Sequence, residues 1–367
     1  MNQFLPKIIA VIIVAVLSVS MLNAQETDEQ ALLKQLFSNT SFSGQWFLIY
    51  QLRENDGDYF NEFSLRRGYI TFNKKFSDNV SVRFTQDITL DEEGSDAGNI
   101  EMRLKYCLLH IDNGFLPLLR NSWWEVGLIN RPWFGFEDKV NDYRVQGAMY
   151  LDKYKVLSSA DFGVSFSGLI GGTVNSDYRE RVSNFFPGLY GSYSLGIYNG
   201  GGYNAIEMNS NKTIEGRLTI RPLGNTLPGL QLSYSFLSGK GNTPDLPHFH
   251  FNHLYLSWQS RPLILAGQIY QGKGNGAGSL KDEEGNSYVN HGYSLFGELK
   301  ILPTKWALMT RIDRYLTENE DGSQCSSVVT GICYRFLENN KILLNTDISN
   351  RDGVRTNIYE AAIEIRF

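Results

Sequence analysis

The segment HFHFNH places three histidines close together, and imidazole nitrogens are common Zn²⁺ ligands. On an extended strand, His248 and His250 point to one side and His253 points to the other. Three ligands from this strand alone cannot converge on one ion. We therefore predict no metal site and interpret the segment as the wet end of a strand.

The segment HGYS combines a histidine with a serine, the minimum for a hydrolytic nucleophile and its base. His291 and Ser294 are three residues apart, so on a strand they face opposite ways. The chain also lacks a GxSxG motif.

The stretch GKGNGAG lacks the Lys-Ser/Thr ending of a phosphate-binding loop, which favours a mobile external loop. We predict neither an enzyme active site nor a cofactor.

Charged side chains instead recur at every second position of many segments, opposite apolar ones. In NVSVRFTQDIT the apolar set is Val80, Val82 and Phe84, and the polar set is Ser81, Arg83, Thr85 and Asp87. In IEMRLKYCLLHI the two sets are Met102, Leu104, Tyr106 and Leu108 against Glu101, Arg103, Lys105 and Cys107. In NKTIEGRLTIRPL they are Ile214, Gly216, Leu218 and Ile220 against Glu215, Arg217, Thr219 and Arg221. Each pattern predicts a strand between two different solvents.

The elements that must position these charges are repeated strands of about ten residues, which is the pattern of a transmembrane barrel. Such segments lie at 44–52, 60–75, 79–89, 99–112, 121–131, 160–171, 189–199, 211–222, 228–239, 248–260, 262–273, 289–302, 304–316, 324–337, 341–350 and 355–367. The second, fifth and twelfth alternate less cleanly. The count predicts an all-β, antiparallel transmembrane β-barrel of sixteen strands, with fourteen or eighteen as alternatives.

Composition agrees with this fold class, because 20 Tyr, 22 Phe and 35 Gly against 10 Pro favour aromatic strands joined by flexible turns. A net charge of −5 with scattered basic residues gives no footprint for nucleic acid. The cysteines, Cys107, Cys325 and Cys333, have no zinc-like spacing, and we predict no disulfide framework.

The chain begins with one lysine, an apolar run and a small-residue site ending at Ala24. We interpret residues 1–24 as a signal peptide, with an uncleaved helical anchor as the alternative. Residues 25–43 are expected to form a periplasmic leader, either a short helix or disordered, with a plug or an oligomer contact as the alternative. Residues 44–367 are assigned to the barrel.

The connections give an independent check, because outer-membrane barrels have short periplasmic turns and longer external loops. FSDN, SRP, LPT and LENN fit the turns, whereas LDEEGSDAG and GKGNGAGSLKDEEGN fit the loops. One connection on the turn side, TVNSDYRERVSNFFPG, is long, and the sequence gives no physical reason for its length.

The longest connection is the third external loop, residues 131–159. Loops of this length are usually functional, and a sixteen-stranded lumen can hold one. We expect it to fold into the pore, with a position outside the barrel as the alternative. Its candidates for a pore constriction are Lys139, Arg144, Lys153, Lys155, Glu137 and Asp142.

The charged face of each strand is expected to line the lumen, since a basic side chain at mid-bilayer costs about 2–4 kcal/mol. The lumen-facing charges that we single out are Arg83, Asp87, Arg103, Lys105, Arg217, Arg311 and Asp313. The wider inward set adds Arg221, Lys300, Arg335 and Arg366, and Glu101, Glu125, Glu215, Glu298, Asp347, Glu360 and Glu364. Basic and acidic residues balance, which predicts weak ion selectivity.

The chain ends in the alternation YEAAIEIRF, whose apolar face carries Tyr359, Ile363, Ile365 and Phe367. The two aromatic rings are candidates for the girdles at opposite bilayer edges. The terminal aromatic resembles the signal by which outer-membrane barrels reach the barrel assembly machinery. We therefore expect a location in the outer membrane of a Gram-negative bacterium.

Four stretches resemble the phosphate-selective porin family of the O and P type and its Bacteroidetes-like relatives. They are FSLRRGYITFNKKFSDNVSVRFTQDIT, WWEVGLINRPWFGFEDKVNDYRVQGAMY, SSADFGVSFSG and YSLGIYNGGGYN. The resemblance implies a sixteen-stranded outer-membrane barrel, usually a homotrimer, with its third loop in the pore. It also implies a phosphate path along inward arginines and lysines, and Arg144, Lys139 and the wall arginines occupy comparable regions.

Together these features predict a porin, a passive diffusion channel for small hydrophilic solutes or ions, phosphate and other anions among them. The expected partners are outer-membrane lipid and lipopolysaccharide, the assembly machinery and the solutes themselves. The alternative is a non-conducting barrel that acts as a surface adhesin or an assembly scaffold.

Overall fold

Sixteen strands alternate with connections along the chain in the computed structural model, which describes residues 37–91, 97–113, 121–319, 322–337 and 339–367. The expected signal peptide and the first part of the leader lie outside these residues. The strands are β1 Thr40–Asn55, β2 Asp58–Lys75, β3 Val80–Leu90, β4 Ile100–Asp112, β5 Ser122–Asn130, β6 Ala160–Ile170, β7 Gly191–Tyr198, β8 Thr213–Ile220, β9 Leu230–Lys240, β10 His248–Gln259, β11 Leu263–Lys273, β12 Val289–Lys300, β13 Trp306–Thr317, β14 Gln324–Phe336, β15 Asn340–Arg351 and β16 Val354–Arg366.

The strands form a closed barrel in which each one pairs with its sequence neighbours. β16 closes the barrel on β1 in antiparallel register, with Phe47 opposite Glu364 and Gln51 opposite Glu360. Closure leaves no free sheet edge, which is what a strand structure in lipid requires. The predicted fold and the count of sixteen are confirmed, and β1 begins at Thr40, four residues before the expected start.

Two connections are tight Asp-Gly hairpins. Asp56 and Gly57 have φ angles of 52° and 91°, and Asp352 and Gly353 have φ angles of 53° and 89°. Two successive positive φ values match the twist of a strand pair, and Asp-Gly is a preferred sequence for such a turn. These hairpins lie at the end of the barrel that also carries residues 131–159, which we call the loop end. The opposite end is called the turn end.

Alternation along the strands separates an apolar outer surface from a polar or aromatic inner one. In β10, His253, Tyr255 and Ser257 are buried, whereas Leu254 and Leu256 are exposed. Aromatic pairs lie on the outside near the turn end, with ring centroids 4.8 Å apart for Trp306–Tyr334 and 4.6 Å apart for Trp124–Phe166. An apolar belt with aromatic side chains at its edge is the surface that a bilayer requires.

β4 departs from the predicted alternation halfway along its length. Its pairing with β3 shifts by one residue, so that Thr85 lies opposite Tyr106 and Gln86 opposite Leu104, with Lys105 as the extra residue of a β-bulge. Because a one-residue shift reverses the faces, Tyr106 and Leu108 are buried and Cys107 is exposed. The predicted assignment of β4 residues to the lipid and lumen faces is therefore correct up to and including Lys105 and wrong from Tyr106 onward.

β2 also changes its inward positions, which explains its poor alternation. Arg66 bonds to Glu360 across the lumen wall, and the next residue, Arg67, bonds to Asp87. Two consecutive side chains therefore face inward at this point. The irregular stretches of β2 and β4 lie on either side of β3 and concentrate basic residues on one part of the wall.

The described residues also include three short helices, all in connections: α1 Phe134–Val140, α2 Tyr150–Lys153 and α3 Ser176–Arg181. None of the helices in the described ranges is long and apolar enough to cross a membrane.

Candidate functional site: a lumen divided by the third loop

Residues 131–159, which we call loop 3, fold into the barrel as expected. Its apolar side chains are almost completely buried, among them Trp133, Phe134, Phe136, Tyr143, Val145, Met149 and Tyr150. They pack in one cluster with inward-facing aromatic residues of the wall, including Phe249, Phe251, Tyr255, Tyr270, Phe296 and Tyr315. The inner faces of strands β10 to β13 thus carry many aromatic side chains, and loop 3 keeps these from water.

The start of loop 3 is fixed by a buried cation. Arg131 is fully buried and donates to Asp161 (Nη2–Oδ2, 2.7 Å) and to Glu215 (Nη1–Oε2, 3.2 Å). The Asp161 carboxylate also accepts the Gly200 backbone N–H at 2.7 Å, which links the next loop to the same group. The buried Arg131 guanidinium and its two carboxylates thus connect loop 3 and the loop after β7 to strands β6 and β8. Removal of the guanidinium would leave two buried charges without a partner.

Loop 3 is then pinned to the opposite wall by two further charge groups. Asp142 lies 2.8 Å from Lys341 and 2.7 Å from Arg366, on β15 and β16. Lys153 lies 3.3 Å from Asp313 and 3.5 Å from Asp347, on β13 and β15. Against the opposing effect of desolvation inside the lumen, the charges of Lys341 and Arg366 lower the pKa of Asp142.

Glu137 on α1 faces the apolar part of the wall. Its two carboxyl oxygens accept from Gln268 Nε2 at 2.6 Å and from Trp133 Nε1 at 2.9 Å. Burial raises the pKa of Glu137 to about 7, because no cation forms an ion pair with it in the described part of the chain. Its proton therefore exchanges near neutral pH.

The remaining part of the lumen, beside β2, β3 and β4, is polar and partly exposed. Asp87 at its centre pairs with Arg67 at 2.7 Å and lies 3.8 Å from Arg103. Tyr203, from the loop after β7, donates to the same carboxylate at 3.0 Å. Arg144 of loop 3 lies 3.7 Å from Asp152 of the same loop, and their side chains keep 20% and 30% of their surface exposed. Exposed pairs at this distance remain hydrated, so this side of the lumen is wet.

A cavity of about 950 Å³ continues from this wet side toward the turn end. Nine basic side chains line it: Arg83, Lys105, Lys139, Arg144, Arg179, Arg181, Lys300, Arg335 and Arg366. Four acidic side chains line it: Asp138, Asp142, Glu180 and Glu298. The even balance predicted for the inward charges does not hold for the cavity, because many of the acidic residues are paired under loop 3.

Four of the cavity cations, Arg83, Lys105, Lys139 and Arg179, have no ion-pair partner among the described residues, and the first three lie over aromatic rings. Arg83 lies over the Tyr106 ring at 4.4 Å, and Lys105 lies over the Tyr203 ring at 4.3 Å and bonds to Ser159. Lys139 lies over the Phe185 ring at 4.4 Å. Aromatic faces hold cations in place without cancelling their charge, so Arg83 and Lys139 remain available to an anion, whereas Lys105 is almost fully buried.

The singled-out residues therefore fall into two groups. Arg83, Asp87, Arg103, Lys105, Lys139 and Arg144 surround the wet side, whereas Glu137, Lys153, Arg217, Arg311 and Asp313 lie against the packed side. Asp142 holds the loop to the wall at the cavity edge, and Lys155 is exposed near the loop end. Tyr359, Ile363 and Ile365 are exposed on the outer face, and Phe367 is exposed at the turn end, where it also lines the cavity. Their role in assembly remains a prediction.

Sequence reasoning missed Arg66, Arg67, Arg131 and Tyr203. The adjacent arginines of SLRRGY were a visible signal, but strict alternation allowed only one of them to face the lumen. Arg131 comes directly after the last residue of β5, and a charged residue at a strand end is usually a solvent-exposed loop residue, so nothing in the sequence indicates that it is buried. No sequence signal places Tyr203 beside Asp87, because that contact spans two loops.

The fold and this divided lumen define the class of an outer-membrane β-barrel with an inward-folded third loop. No protein-family model and no curated protein matches the chain, so the resemblance to the phosphate-selective porin family remains a prediction.

Solved structures do match in fold. An anion-selective porin from Comamonas acidovorans is 10% identical, with 89% of this chain and 99% of that chain covered at a TM-score of 0.62. The outer membrane channel DcaP of Acinetobacter baumannii is 10% identical, with 94% of this chain and 100% of that chain covered at a TM-score of 0.57. OmpT of Vibrio cholerae, in a trimer form, is 10% identical, with 90% of this chain and 100% of that chain covered at a TM-score of 0.50. The shared fold and the apolar outer surface are those of an outer-membrane barrel.

Proposed function

We propose that this protein is an outer-membrane porin through which small hydrophilic solutes diffuse passively, with a preference for anions. The observation that carries the proposal is the excess of basic over acidic side chains, nine to four, around the cavity beside β2, β3 and β4. In a narrow passage with low-dielectric walls, such an excess concentrates anions and repels cations.

Loop 3 supports this reading by its position. It covers the apolar wall and leaves the polar wall open, so a solute meets arginine, lysine and tyrosine side chains. Phosphate is one candidate solute, because guanidinium groups donate to phosphate oxygens in a planar fork. The names of the matched structures, an anion-selective porin and an outer membrane channel, agree with a channel.

The test is conductance of the purified protein in planar bilayers, followed by the reversal potential in a potassium chloride gradient. We expect stepwise conductance and a reversal potential on the anion-selective side. Bilayers without conductance steps would contradict a channel, whereas a cation-selective reversal potential would contradict only the anion preference. Measuring the chloride conductance again after phosphate is added then shows whether phosphate binds in the pore and reduces the chloride current.

A non-conducting barrel is the second candidate, because loop 3 is held on many sides. It contacts Arg66 of β2 through the Val145 carbonyl (2.6 Å), Arg311 of β13 through the Ala148 carbonyl (2.8 Å) and β15 through Asp142. A loop bonded to opposite walls can seal a lumen. Absence of conductance, together with binding of the protein to host or matrix surfaces, would favour an adhesin.

We also propose a homotrimer, as the family resemblance implies. Chemical cross-linking of the protein in outer-membrane vesicles should then give a band at three times the mass of the single chain. A single-chain band alone would contradict it.

A further inference from the structure

The long connection at the turn end, residues 171–190, has a structure of its own inside the barrel unit. Its two ends pair, with a bridge between Thr173 and Gly188, and the Val174 N–H donates to the Pro187 carbonyl at 2.8 Å. Between them, Asn175 caps α3 by accepting the Tyr178 N–H at 2.7 Å. We call residues 174–187 the turn segment.

Arg217 of β8 and Arg221, the residue that follows this strand, hold the turn segment against the wall. Arg221 donates to the carbonyls of Phe186 (Nη2–O, 3.3 Å) and Pro228, and its guanidinium lies 5.6 Å from the buried Tyr178 ring. Arg217 is buried, and its guanidinium lies 4.9 Å from the Phe186 ring. Among the described residues Arg217 has no acidic partner, and it donates only to Pro132 O and to hydroxyl groups.

The turn segment also meets loop 3. The rings of Phe186 and Phe136 have centroids 5.5 Å apart, and the Arg217 guanidinium lies 4.6 Å from the Phe136 ring. One guanidinium thus lies against both rings, one from each segment. Phe186 has a φ of 46°, a conformation that residues other than glycine rarely adopt, so its backbone is held in place by these contacts.

Beyond the arginine contacts, residues 179–185 line the cation-rich cavity at the turn end. Arg179 and Arg181 lie on this surface, and the Phe185 ring contacts Lys139 of loop 3. A solute that passes the wet side of loop 3 must then cross this cavity to leave the barrel. The turn segment is therefore part of the wall of this exit.

We propose that the turn segment is a second, turn-end constriction that acts in series with loop 3 and sets the size limit of the pore. This inference rests on the proposed function, because it assigns a size-selecting element to the same channel. Arg217 and Arg221 act as positioning residues that keep the segment beside loop 3. Arg179 and Arg181 extend the basic surface along the exit, so anions are the solutes that this constriction admits best.

The first experiment replaces residues 174–187 by Asn-Gly, which closes a hairpin directly on the Thr173–Gly188 bridge. We expect single-channel conductance to rise about twofold or more, because the narrowest cross-section limits the flow. Proteoliposomes should also swell in raffinose, a larger sugar, and not only in glucose. A matched control replaces residues 282–286 at the loop end, inside the Lys281–Ser287 bridge, by the same dipeptide and should change neither readout.

A second variant keeps the test valid if the shortened chain does not fold. Phe186→Gly removes the ring and suits the positive φ, so the turn segment should detach with little loss of stability. We expect larger and noisier conductance steps. Phe76→Gly, which removes an exposed ring from the β2–β3 turn, is the control and should behave as wild type.

The outcomes separate the two proposals. If the wild type conducts and both turn-segment variants keep its conductance and its size limit, the constriction is refuted and the porin stands. If the wild type does not conduct but the shortened variant does, the passive channel is refuted and the turn segment is a closure. If neither conducts, both proposals are refuted.

Discussion

The two sides of the lumen use the same residue types with opposite results. On the packed side, Arg131 lies 2.7 Å from Asp161, and both side chains are almost fully buried. On the wet side, Arg144 lies 3.7 Å from Asp152, and both side chains remain partly exposed. The packed pair holds loop 3 in place and presents no charge to a solute. The wet pair leaves charge at a surface that water reaches.

The difference teaches that inward charges of a barrel cannot be added up as one filter. A charge affects permeation only where water reaches it, because buried pairs cancel each other at short range. Loop 3 makes this division by covering Glu215 of β8 and Asp313 of β13 while leaving Arg67 of β2 and Arg103 of β4 partly exposed.

Arg131→Met should lower the free energy of unfolding by about 3–5 kcal/mol, because it leaves Asp161 and Glu215 buried without their cation. Guanidinium unfolding in lipid vesicles, followed by tryptophan fluorescence, measures the effect. Arg181→Ala is the control, since its ion pair with Asp177 is exposed and should contribute less than about 1 kcal/mol. Equal losses in the two variants would refute the anchoring role of Arg131.

Glu137 should make the stability of the packed side depend on pH. Its pKa is about 7 in the folded protein and about 4.5 when unfolded, so the folded state binds an extra proton between these values. The free energy of unfolding should therefore fall by about 3 kcal/mol as the pH rises from about 4.5 to about 7, and stay level above that. The Glu137→Gln side chain cannot ionise, so this variant should lack the fall in the free energy of unfolding between about pH 4.5 and about pH 7. A variant with the same pH profile as the wild type would refute the role of Glu137.

Charge reversal on the wet side should change selectivity and leave stability almost unaltered. We expect the double variant Arg83→Glu and Lys139→Glu to lower the anion-to-cation permeability ratio by a factor of about 2 to 5. Both residues line the cavity without an ion-pair partner among the described residues. Lys155→Glu, on the exposed loop end, is the matched control. A shift of the reversal potential in the control alone would place the selective region elsewhere.

The β4 bulge has the smallest expected effect and is tested by labelling. Cys107 is exposed on the outer face, whereas Cys333 is buried inside. A fluorophore attached at Cys107 should be quenched by spin-labelled lipid chains. Quenching by a water-soluble agent in the lumen instead would mean that the alternation of β4 continues without a bulge.

The strand pattern could be predicted well because its cause is local. A ten-residue segment such as TIEGRLTI meets lipid on one face and polar groups on the other, so its period of two is written in adjacent residues. Alternation fails at Arg66–Arg67 of β2 and at Lys105–Tyr106 of β4, and the second failure arises from a bulge. A bulge depends on pairing with a neighbouring strand, which the residues of one strand do not specify.

The site was less predictable because its chemistry depends on distant partners. Lys153 and Lys139 are both lysines of one loop, yet Lys153 pairs with Asp313 of β13 and Lys139 lies over the Phe185 ring of the turn segment. Their spacing along the chain carries no signal of that difference. The length of the turn segment was visible in the sequence, and its position beside loop 3 was not.

The sequence by itself predicted a transmembrane barrel with an apolar exterior and sixteen strands, with fourteen or eighteen strands as alternatives, because alternation and turn residues act over short distances. Only the tertiary structure decided which charges are buried in pairs, which face the cavity and how the turn segment meets loop 3. These outcomes depend on contacts between segments far apart in the chain, and the energy of a charge is set by the burial and partners that such contacts create.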